Sequence, residues 1–184
     1  METKMIHSGN HRRINATTII LMGCHSLRIN SLKGRNQTPM SNIHVPTTID
    51  SASQLPSYAH DGDAGADLRS IEDVTLEPFK PTLVHTGVHV ELPAGKLMWI
   101  TPRSGLAVKH GISIVNAPGL IDSGYRGEIG VALINLTTEP FHIGKGERIA
   151  QAVVQDYDTV SYDLTDALAE SERGEGGFGS TGVQ

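Results

Sequence analysis

The sequence predicts an all-β domain built as an antiparallel sandwich or barrel. Short segments in which apolar and polar residues alternate recur along the chain, as in half-buried strands. Turn signals separate these segments, and 20 glycines with 9 prolines among 184 residues supply many turns. An apolar share of 38% is modest, which favours short strands over long helices. The length suits one compact domain with tails.

The clearest alternation lies in residues 84–92. Three valines and Leu92 stand at even-numbered positions, whereas His85 and His89 stand at odd-numbered positions. This alternation predicts a half-buried strand. The two histidines share the polar face but have no third partner at metal-ligand spacing. We therefore assign them no metal.

Four further segments extend the strand pattern. Residues 129–133 repeat the alternation, and residues 97–100 form a short apolar run typical of a strand buried on both faces. Residues 149–154 are another apolar stretch, and residues 43–45 look like the start of a strand. Many short strands at this spacing favour a sandwich or barrel.

One short internal helix is predicted between Ser104 and Gly111. Ser104 is expected to cap its first turn, and Gly111 is expected to end it. Free N–H groups at the helix start, with Arg103 beside them, would suit a phosphate. The alternative is structural: Ser104 only caps the helix, while Arg103 pairs with Asp67. The residues by themselves leave both interpretations open.

A second local pattern is predicted to be a β-hairpin. Residues 119–127 are expected to form a strand, a tight turn and a returning strand. Such a hairpin exposes backbone donors and acceptors that can bind the edge of a base. Asp122 at its bend could hold a water molecule, and Tyr125 offers a flat face. Taken singly, an Asp at a turn usually has no catalytic role.

Charge is distributed unevenly along the chain. Residues 1–39 hold six of the 15 Lys and Arg but one of the 20 acids, so the remainder, with nine basic and 19 acidic residues, is strongly negative. Such a surface argues against binding to nucleic acid. No apolar run reaches the roughly 18 residues of a membrane span. The single cysteine, Cys24, excludes an internal disulfide.

The pattern divides the chain into three parts. Residues 1–39 are an extension, residues 40–168 are the β domain, and residues 169–184 are a flexible, glycine-rich arm. Three interpretations of the extension stay open. It could be a targeting segment, since it is rich in Arg and poor in acids, or a lipoprotein signal, since residues 21–24 resemble a lipobox. We favour a disordered or mistranslated extension, with Met40 as the true start.

Two apparent ligand motifs fail on their context. Residues 174–179 fit the pattern G-x-G-x-x-G, but no strand leads into them and only five residues follow. Residues 61–65 begin like a calcium loop, but a glycine replaces the third ligand. Neither supports a dinucleotide or calcium site.

Five segments, in order, resemble the five motifs of the trimeric dUTPase family. They are residues 63–68 (DAGADL), 102–107 (PRSGLA), 119–127 (GLIDSGYRG), 144–151 (GKGERIAQ) and 173–182 (RGEGGFGSTG). Each motif is weak alone, but five in order at compatible spacing make coincidence negligible. The resemblance covers residues 63–182, essentially everything after the extension.

This resemblance implies a jelly-roll-like β-clip fold and a homotrimer whose C-terminal tail is exchanged between subunits. It implies hydrolysis of dUTP to dUMP and diphosphate, in the cytoplasm and without a nucleic-acid or membrane partner. Magnesium (Mg²⁺) is expected on the triphosphate, with Asp67 either holding a metal-bound water or orienting Arg103. The substrate-binding positions that it implies are Arg103, Ser104, Gly105, Asn116, Leu120, Ile121, Asp122, Tyr125, Gly130, Gln151, Arg173, Phe178, Gly179 and Ser180.

The resemblance also assigns individual roles. Asp122 is the predicted catalytic residue, which would position and deprotonate the water that attacks the α-phosphorus. Asn116 and the backbone of residues 120–122 would bind uracil, and Tyr125 would pack against the deoxyribose. Phe178, on the arm of a third subunit, would stack on the base.

Two rival functions are less well supported. A dCTP deaminase of related fold would carry a glutamate five residues after the final glycine of the hairpin, where this chain has Ala132. A binding module without catalytic activity would be favoured by loss of Asp122, Tyr125 or Arg173, and all three are present. Gly130 stands where relatives often carry a longer side chain, but the expected contact there is through the backbone.

Overall fold

The computed structural model describes residues 42–50 and 53–177, and it is mostly β-strand with one short helix in this part of the chain. A compact unit begins at His44. The elements in order are β1 (Thr47–Ile49), β2 (Ala66–Arg69), β3 (Val74–Leu76), β4 (Thr82–Val84), β5 (Val88–Val90), β6 (Lys96–Pro102), α1 (Ser104–His110), β7 (Ile112–Ile114), β8 (Gly119–Ile121), β9 (Val131–Asn135), β10 (Phe141–Ile143) and β11 (Arg148–Asp156).

The strands form four sheets, and every strand pair in them is antiparallel. The largest sheet has the order β2-β11-β6-β8, and a second has the order β4-β9-β7. Two two-stranded sheets, β1-β5 and β10-β3, complete the set in the described residues. The predicted all-β class is confirmed. The predicted extension, residues 1–39, lies outside the described residues.

Side chains from all four sheets meet in one apolar core. The largest fully buried apolar side chains are Leu68, Leu76, Val84, Val88, Ile129, Val131, Leu133, Ile112, Ile143 and Ile149. Burying a side chain of this type contributes about 1.5–3 kcal/mol. The alternation predicted for residues 129–133 is confirmed, since β9 buries every second side chain.

The single strand predicted over residues 84–92 is two strands in different sheets. β4 ends at Val84 and pairs with β9, whereas β5 begins at Val88 and pairs with β1. The chain turns between them at Gly87, whose φ of 63° lies in the left-handed region. The predicted burial holds, because Val84 and Val88 are both buried on either side of the turn.

β6 buries one face rather than the two that were predicted. Met98 and Ile100 are buried, while Leu97 and Trp99 on the opposite face are partly exposed. The indole Nε1 of Trp99 donates a hydrogen bond to Gln155 Oε1 at 2.7 Å. The strand predicted to start within residues 43–45 begins instead at Thr47.

Helix α1 ends as predicted but starts differently. Its N-cap is Arg103, which makes no side-chain capping hydrogen bond, so the prediction that Ser104 caps the helix is wrong. Gly111 is the C-cap with φ 65°, and its N–H donates to the carbonyls of Ala107 and Leu106. Among the described residues, no helix is long and apolar enough to cross a membrane.

The predicted hairpin of residues 119–127 is not a ladder of two paired strands. β8 pairs with β6, whereas β9 pairs with β4 and β7 in another sheet. The connection from β8 to β9 begins with a turn. A hydrogen bond from Tyr125 N–H to Asp122 O (3.1 Å) closes this turn. We call residues 119–130 the bend segment.

Candidate functional site

Four side chains form a polar cluster at one end of β6. Arg103 Nε lies 3.3 Å from Asp67 Oδ1, and Arg148 Nη1 lies 3.2 Å from Asp67 Oδ2. Gln151 Nε2 donates to Asp67 Oδ1 at 3.5 Å. The Asp67 side chain is only 5% exposed, so two cations compensate a buried carboxylate. We call these four residues the Asp67 cluster.

Strand register brings the Asp67 cluster together. Gln151 on β11 stands opposite Asp67 on β2 and opposite Thr101 on β6. Because side chains two apart on a strand share a face, Arg103, two residues after Thr101, continues on the same side. Gly65 leaves room for the Gln151 side chain, since a Cβ there would lie 3.1 Å from Gln151 Cβ.

Arg103 is held in place by its neighbours, but not all of its N–H groups are hydrogen-bonded to them. Its Nε pairs with Asp67 and its Nη1 donates to Arg148 O at 2.9 Å, while its Nη2 has no hydrogen-bond partner among the described residues. Ser104 and Gly105 beside it are exposed, and the space next to Gly105 is open. The pairing of Arg103 with Asp67 therefore orients a guanidinium that can still accept an anion.

The bend segment presents its polar groups to solvent. Asp122 is exposed directly after β8, and Leu120 is 51% exposed. Ile121 is partly buried and packs against the core, which anchors the start of the bend. The amide of Asn116 lies over Gly119, where a Cβ would stand 3.6 Å from Asn116 Nδ2. Backbone and amide groups are thus held on a fixed strand end.

Tyr125 and Arg126 hold the bend in shape. The Tyr125 hydroxyl donates to Glu128 O at 2.9 Å, and its ring lies against Gly127. Arg126 Nη1 donates to Ser123 O (2.7 Å) and to Tyr125 O (2.9 Å), and its Nη2 lies 3.3 Å from Glu91. An open cleft of about 440 Å³ adjoins the bend, lined in part by Glu91, Ser123 and Arg126.

Glu128 and His85 form an ion pair that the sequence did not predict. Burial would raise the pKa of Glu128, but hydrogen bonds from Gly87 N–H, His85 and Thr86 N–H outweigh it and hold the pKa below its ordinary value. The hydrogen bond to Glu128 and the charge of its carboxylate raise the pKa of His85. No sequence pattern signals this pair, since 43 positions separate its members.

The remaining predicted positions are more scattered. Gly130 closes the bend segment, where a Cβ would lie 2.8 Å from Leu83 Cδ1. Arg173 belongs to an exposed arm, and its Nε donates to Gly176 O at 2.8 Å. Phe178, Gly179 and Ser180 lie outside the described residues.

Within one chain, the Asp67 cluster and Asp122 lie at opposite ends of β6. Ile121 pairs with Met98, so the register carried one step further places Asp122 beside Leu97. Arg103 is six residues further along the chain, which is about 20 Å at the usual rise of a strand. Within one chain the Asp67 cluster and Asp122 are therefore two separate groups, which we call the two half-sites.

The described residues contain no group of three or more His, Cys, Asp or Glu that could hold a metal ion. Both oxygens of Asp67 are engaged by Arg103, Arg148 and Gln151. The donor set therefore suits an ion that brings most of its ligands with it, as a magnesium–triphosphate complex does.

The fold and the two half-sites define a class: a small all-β protein with an anion-accepting cluster and a separate, exposed carboxylate on a bend. The sequence model of the dUTPase family matches residues 51–182. The chain belongs to the dUTPase family, and the resemblance drawn from its five motifs is confirmed.

Relatives and solved structures agree with this family. The chain is 52% identical over 129 residues to a deoxyuridine 5'-triphosphate nucleotidohydrolase of Clostridium novyi, covering 70% of this chain and 91% of that protein. A relative of the same name from Alkaliphilus metalliredigens is 49% identical over 145 residues, covering 79% of this chain and 100% of that protein. The dUTPase of Staphylococcus bacteriophage 80alpha, solved with dUpNHpp, has a TM-score of 0.69 at 30% identity. The match covers 77% of this chain and 100% of that one.

Another phage structure concerns a metal. A mutant dUTPase from phage phi11 of S. aureus has a TM-score of 0.63 at 25% identity, covering 68% of this chain and 98% of that one. That structure is described as showing the coordination of a structural Mg(II) ion.

Proposed function

We propose that this protein is a dUTP diphosphatase, which hydrolyses dUTP to dUMP and diphosphate. Membership of the dUTPase family over residues 51–182 carries this proposal. The reaction limits uracil incorporation into DNA and supplies dUMP for dTMP synthesis. Because its substrate belongs to the intracellular nucleotide pool, the proposal places the enzyme in the cytoplasm.

The Asp67 cluster is the proposed phosphate side of the site. Arg103 offers a planar cation fixed by Asp67 at 3.3 Å, and Ser104, Gly105 and Gln151 lie beside it in the family motifs. A preoriented guanidinium binds phosphate oxygens with little loss of side-chain freedom. These groups bind the triphosphate in our proposal.

The bend segment is the proposed nucleoside side of the site. Asn116 and the backbone of residues 120–122 bind uracil, and Gly130 contributes its backbone. Groups held on a strand end match the donor at N3 and the acceptors at O2 and O4 of uracil. Cytosine reverses part of that pattern and would leave buried groups unpaired. The half-exposed ring of Tyr125 packs against the deoxyribose, where a 2'-hydroxyl would clash.

Asp122 is the proposed general base. Its carboxylate takes a proton from a water molecule as the water oxygen forms a bond to the α-phosphorus. The bond from this phosphorus to the bridging oxygen breaks, and diphosphate leaves with the electron pair. Alignment of the water and compensation of phosphate charge by Arg103 supply most of the reduction in the barrier.

Magnesium is the proposed cofactor. It would bind the triphosphate oxygens and water, with Asp67 contacting the hydrated ion through water. When bound, the ion compensates the charge of the phosphates. The family membership and the Mg(II) ion described for the phi11 enzyme support this assignment.

A homotrimer is the proposed active form. The separation of about 20 Å between Arg103 and Asp122 along β6 supports this proposal, in which a second copy supplies one half-site. We propose that the arm, with Arg173 and residues 178–180, crosses to close the site of a neighbouring subunit, where Phe178 stacks on the base.

A product assay tests the proposed reaction. Purified protein with magnesium should release diphosphate and dUMP from dUTP and leave dCTP unchanged. Ammonia released from dCTP would instead support a deaminase. Tight binding of dUTP without any product would identify a binding module and contradict the proposal.

A further inference from the structure

The bend segment lacks the ladder that would normally fix a hairpin. β8 is the edge strand of its sheet, and its one partner there is β6. The chain then continues into β9 in a different sheet. Because no returning strand pairs with β8, no interstrand ladder sets the path of residues 122–126, and the backbone hydrogen bond within them is the one from Tyr125 N–H to Asp122 O.

Glu128 attaches the far end of this path to another part of the fold. Its Oε1 accepts the backbone N–H groups of Thr86 (3.0 Å) and Gly87 (2.8 Å). Its Oε2 lies 2.8 Å from His85 Nδ1. All three contacts go to the turn between β4 and β5, and bonds to an ionised carboxylate are the stronger kind.

The β4–β5 turn is itself fixed, so it can serve as an anchor. Thr86 is buried, and its hydroxyl donates to Ile129 O at 2.6 Å. Ile129 N–H donates to Val88 O at 2.8 Å. On the outer side of the turn, Asp50 N–H donates to Gly87 O at 2.9 Å.

Glu128 is also connected to the groups that meet the nucleotide. The Tyr125 hydroxyl donates to the carbonyl of Glu128 at 2.9 Å. The backbone N–H of Tyr125 also donates to Asp122 O at 3.1 Å, which closes the turn after β8. A shift of Glu128 would therefore move the Tyr125 ring and, through it, Asp122.

We propose that Glu128 is a positioning residue for the hydrolysis, which by binding the β4–β5 turn sets the Tyr125 ring and the Asp122 carboxylate in their working positions. This inference rests on the proposed function. Glu128 directly follows the third motif and lies outside all five. The charged and titratable groups near the Glu128–His85 pair are Glu72, whose Oε1 accepts the backbone N–H of His85 at 3.0 Å, and His89, which pairs with Glu128 in an isolated antiparallel bridge.

Substitution of Glu128 tests the inference. Glu128→Ala should lower kcat on the order of tenfold, below the hundredfold that about 1 Å of misplacement can cost. It should also lower the preference for dUTP over UTP, because the Tyr125 ring no longer holds the one position in which a 2'-hydroxyl would clash. Glu128→Gln keeps an acceptor for Thr86 and Gly87 and should recover part of both losses.

Asp73 provides a matched control. Its Oδ1 also accepts a backbone N–H from a distant residue, Lys145 at 2.9 Å, but it does not contact the bend segment. Asp73→Ala should retain the wild-type kcat, KM and dUTP preference. If Glu128→Ala does not fold, Glu128→Asp, whose carboxylate is withdrawn by one methylene, should show the same losses to a smaller degree.

The outcomes separate this inference from the proposed function. Wild-type kinetics and discrimination in a folded Glu128→Ala or Glu128→Asp variant would overturn the inference alone. Equal losses in Asp73→Ala would also overturn it, since they would indicate a general effect on stability. Failure of the wild-type protein to hydrolyse dUTP would overturn the proposed function, and the inference with it.

Discussion

Asp67 shows how a single buried carboxylate can organise a half-site. With its side chain only 5% exposed, it engages Arg103, Arg148 and Gln151. A buried charge without partners costs several kcal/mol, so the two cations are held close to it. The sequence predicted the pairing with Arg103 as one of two interpretations. It gave no indication of Arg148, because this contact depends on strand register over 81 positions.

At the residue scale, Asp122→Asn should lower kcat by about 10²–10⁴-fold, the usual contribution of a general base. The amide cannot take the proton of the attacking water, whereas KM for dUTP should change little. Initial rates of diphosphate release check this. Asp158→Asn, in the exposed chain after β11, is the matched control, and a kcat near the wild-type value in Asp122→Asn would remove Asp122 from its role.

At the scale of elements, the turn between β4 and β5 has a role beyond joining two strands. The alternation in residues 84–92 predicted which side chains are buried but not that the chain changes sheets. The change of sheet at Gly87 brings His85, Thr86 and Gly87 to Glu128. One turn therefore both joins two sheets and holds the end of the bend segment.

The Glu128–His85 pair makes stability depend on pH in a defined window. The pKa of His85 is raised above 6.5, so its contribution is complete below 6.5 and is lost as the pH rises through the raised value. The pKa of Glu128 is lowered below 4.5, so its contribution is present above 4.5 and is lost as the pH falls through the lowered value. The pair therefore stabilises the folded protein most between pH 4.5 and pH 6.5, the ordinary pKa values of the two groups.

His85→Gln should accordingly destabilise the protein most in that window and progressively less as the pH rises through the raised pKa of His85. The loss should be no more than about 1 kcal/mol at about pH 5.5 and should vanish near pH 9, because the pair is partly exposed. Urea unfolding of both proteins at the two pH values measures it. A constant difference at both would show that the charge on His85 contributes nothing.

At the scale of the whole molecule, the register of β6 and β8 keeps the two half-sites apart. Met98 pairs with Ile121 and Ile100 with Gly119, which directs Asp122 away from Arg103. Closing this distance within one chain would require breaking the largest sheet, β2-β11-β6-β8. The sharing of each site between copies that we propose leaves this sheet intact.

Mixing two inactive variants tests this sharing. If Arg103 and Asp122 of one site come from different subunits, randomly mixed trimers of Arg103→Ala and Asp122→Asn should recover about one quarter of wild-type activity, since a cyclic trimer pairs them at random. Each variant alone should stay inactive. No recovery after co-refolding into mixed trimers would place both residues of a site in one chain.

Deletion of residues 169–184 tests the role of the arm. Loss of Arg173 and the glycine-rich segment should lower kcat/KM on the order of 10²-fold, because charge compensation around the phosphates is lost. The oligomeric state should not change, and sedimentation with steady-state kinetics checks both. Arg173→Ala in the full chain isolates the contribution of the cation, and wild-type kinetics in the deletion variant would contradict this role.

The sequence by itself determined the all-β class, the end of α1 at Gly111 and the family, because strand alternation, turn residues and short motifs are local signals. Register and sheet membership depend on pairing between separate strands, and the contacts of Arg148 and Gln151 with Asp67 and of Glu128 with the β4–β5 turn join residues 41 to 84 positions apart. Only the packed structure decided these. Pairing between distant strands is set by burial of the whole core, which no local segment encodes.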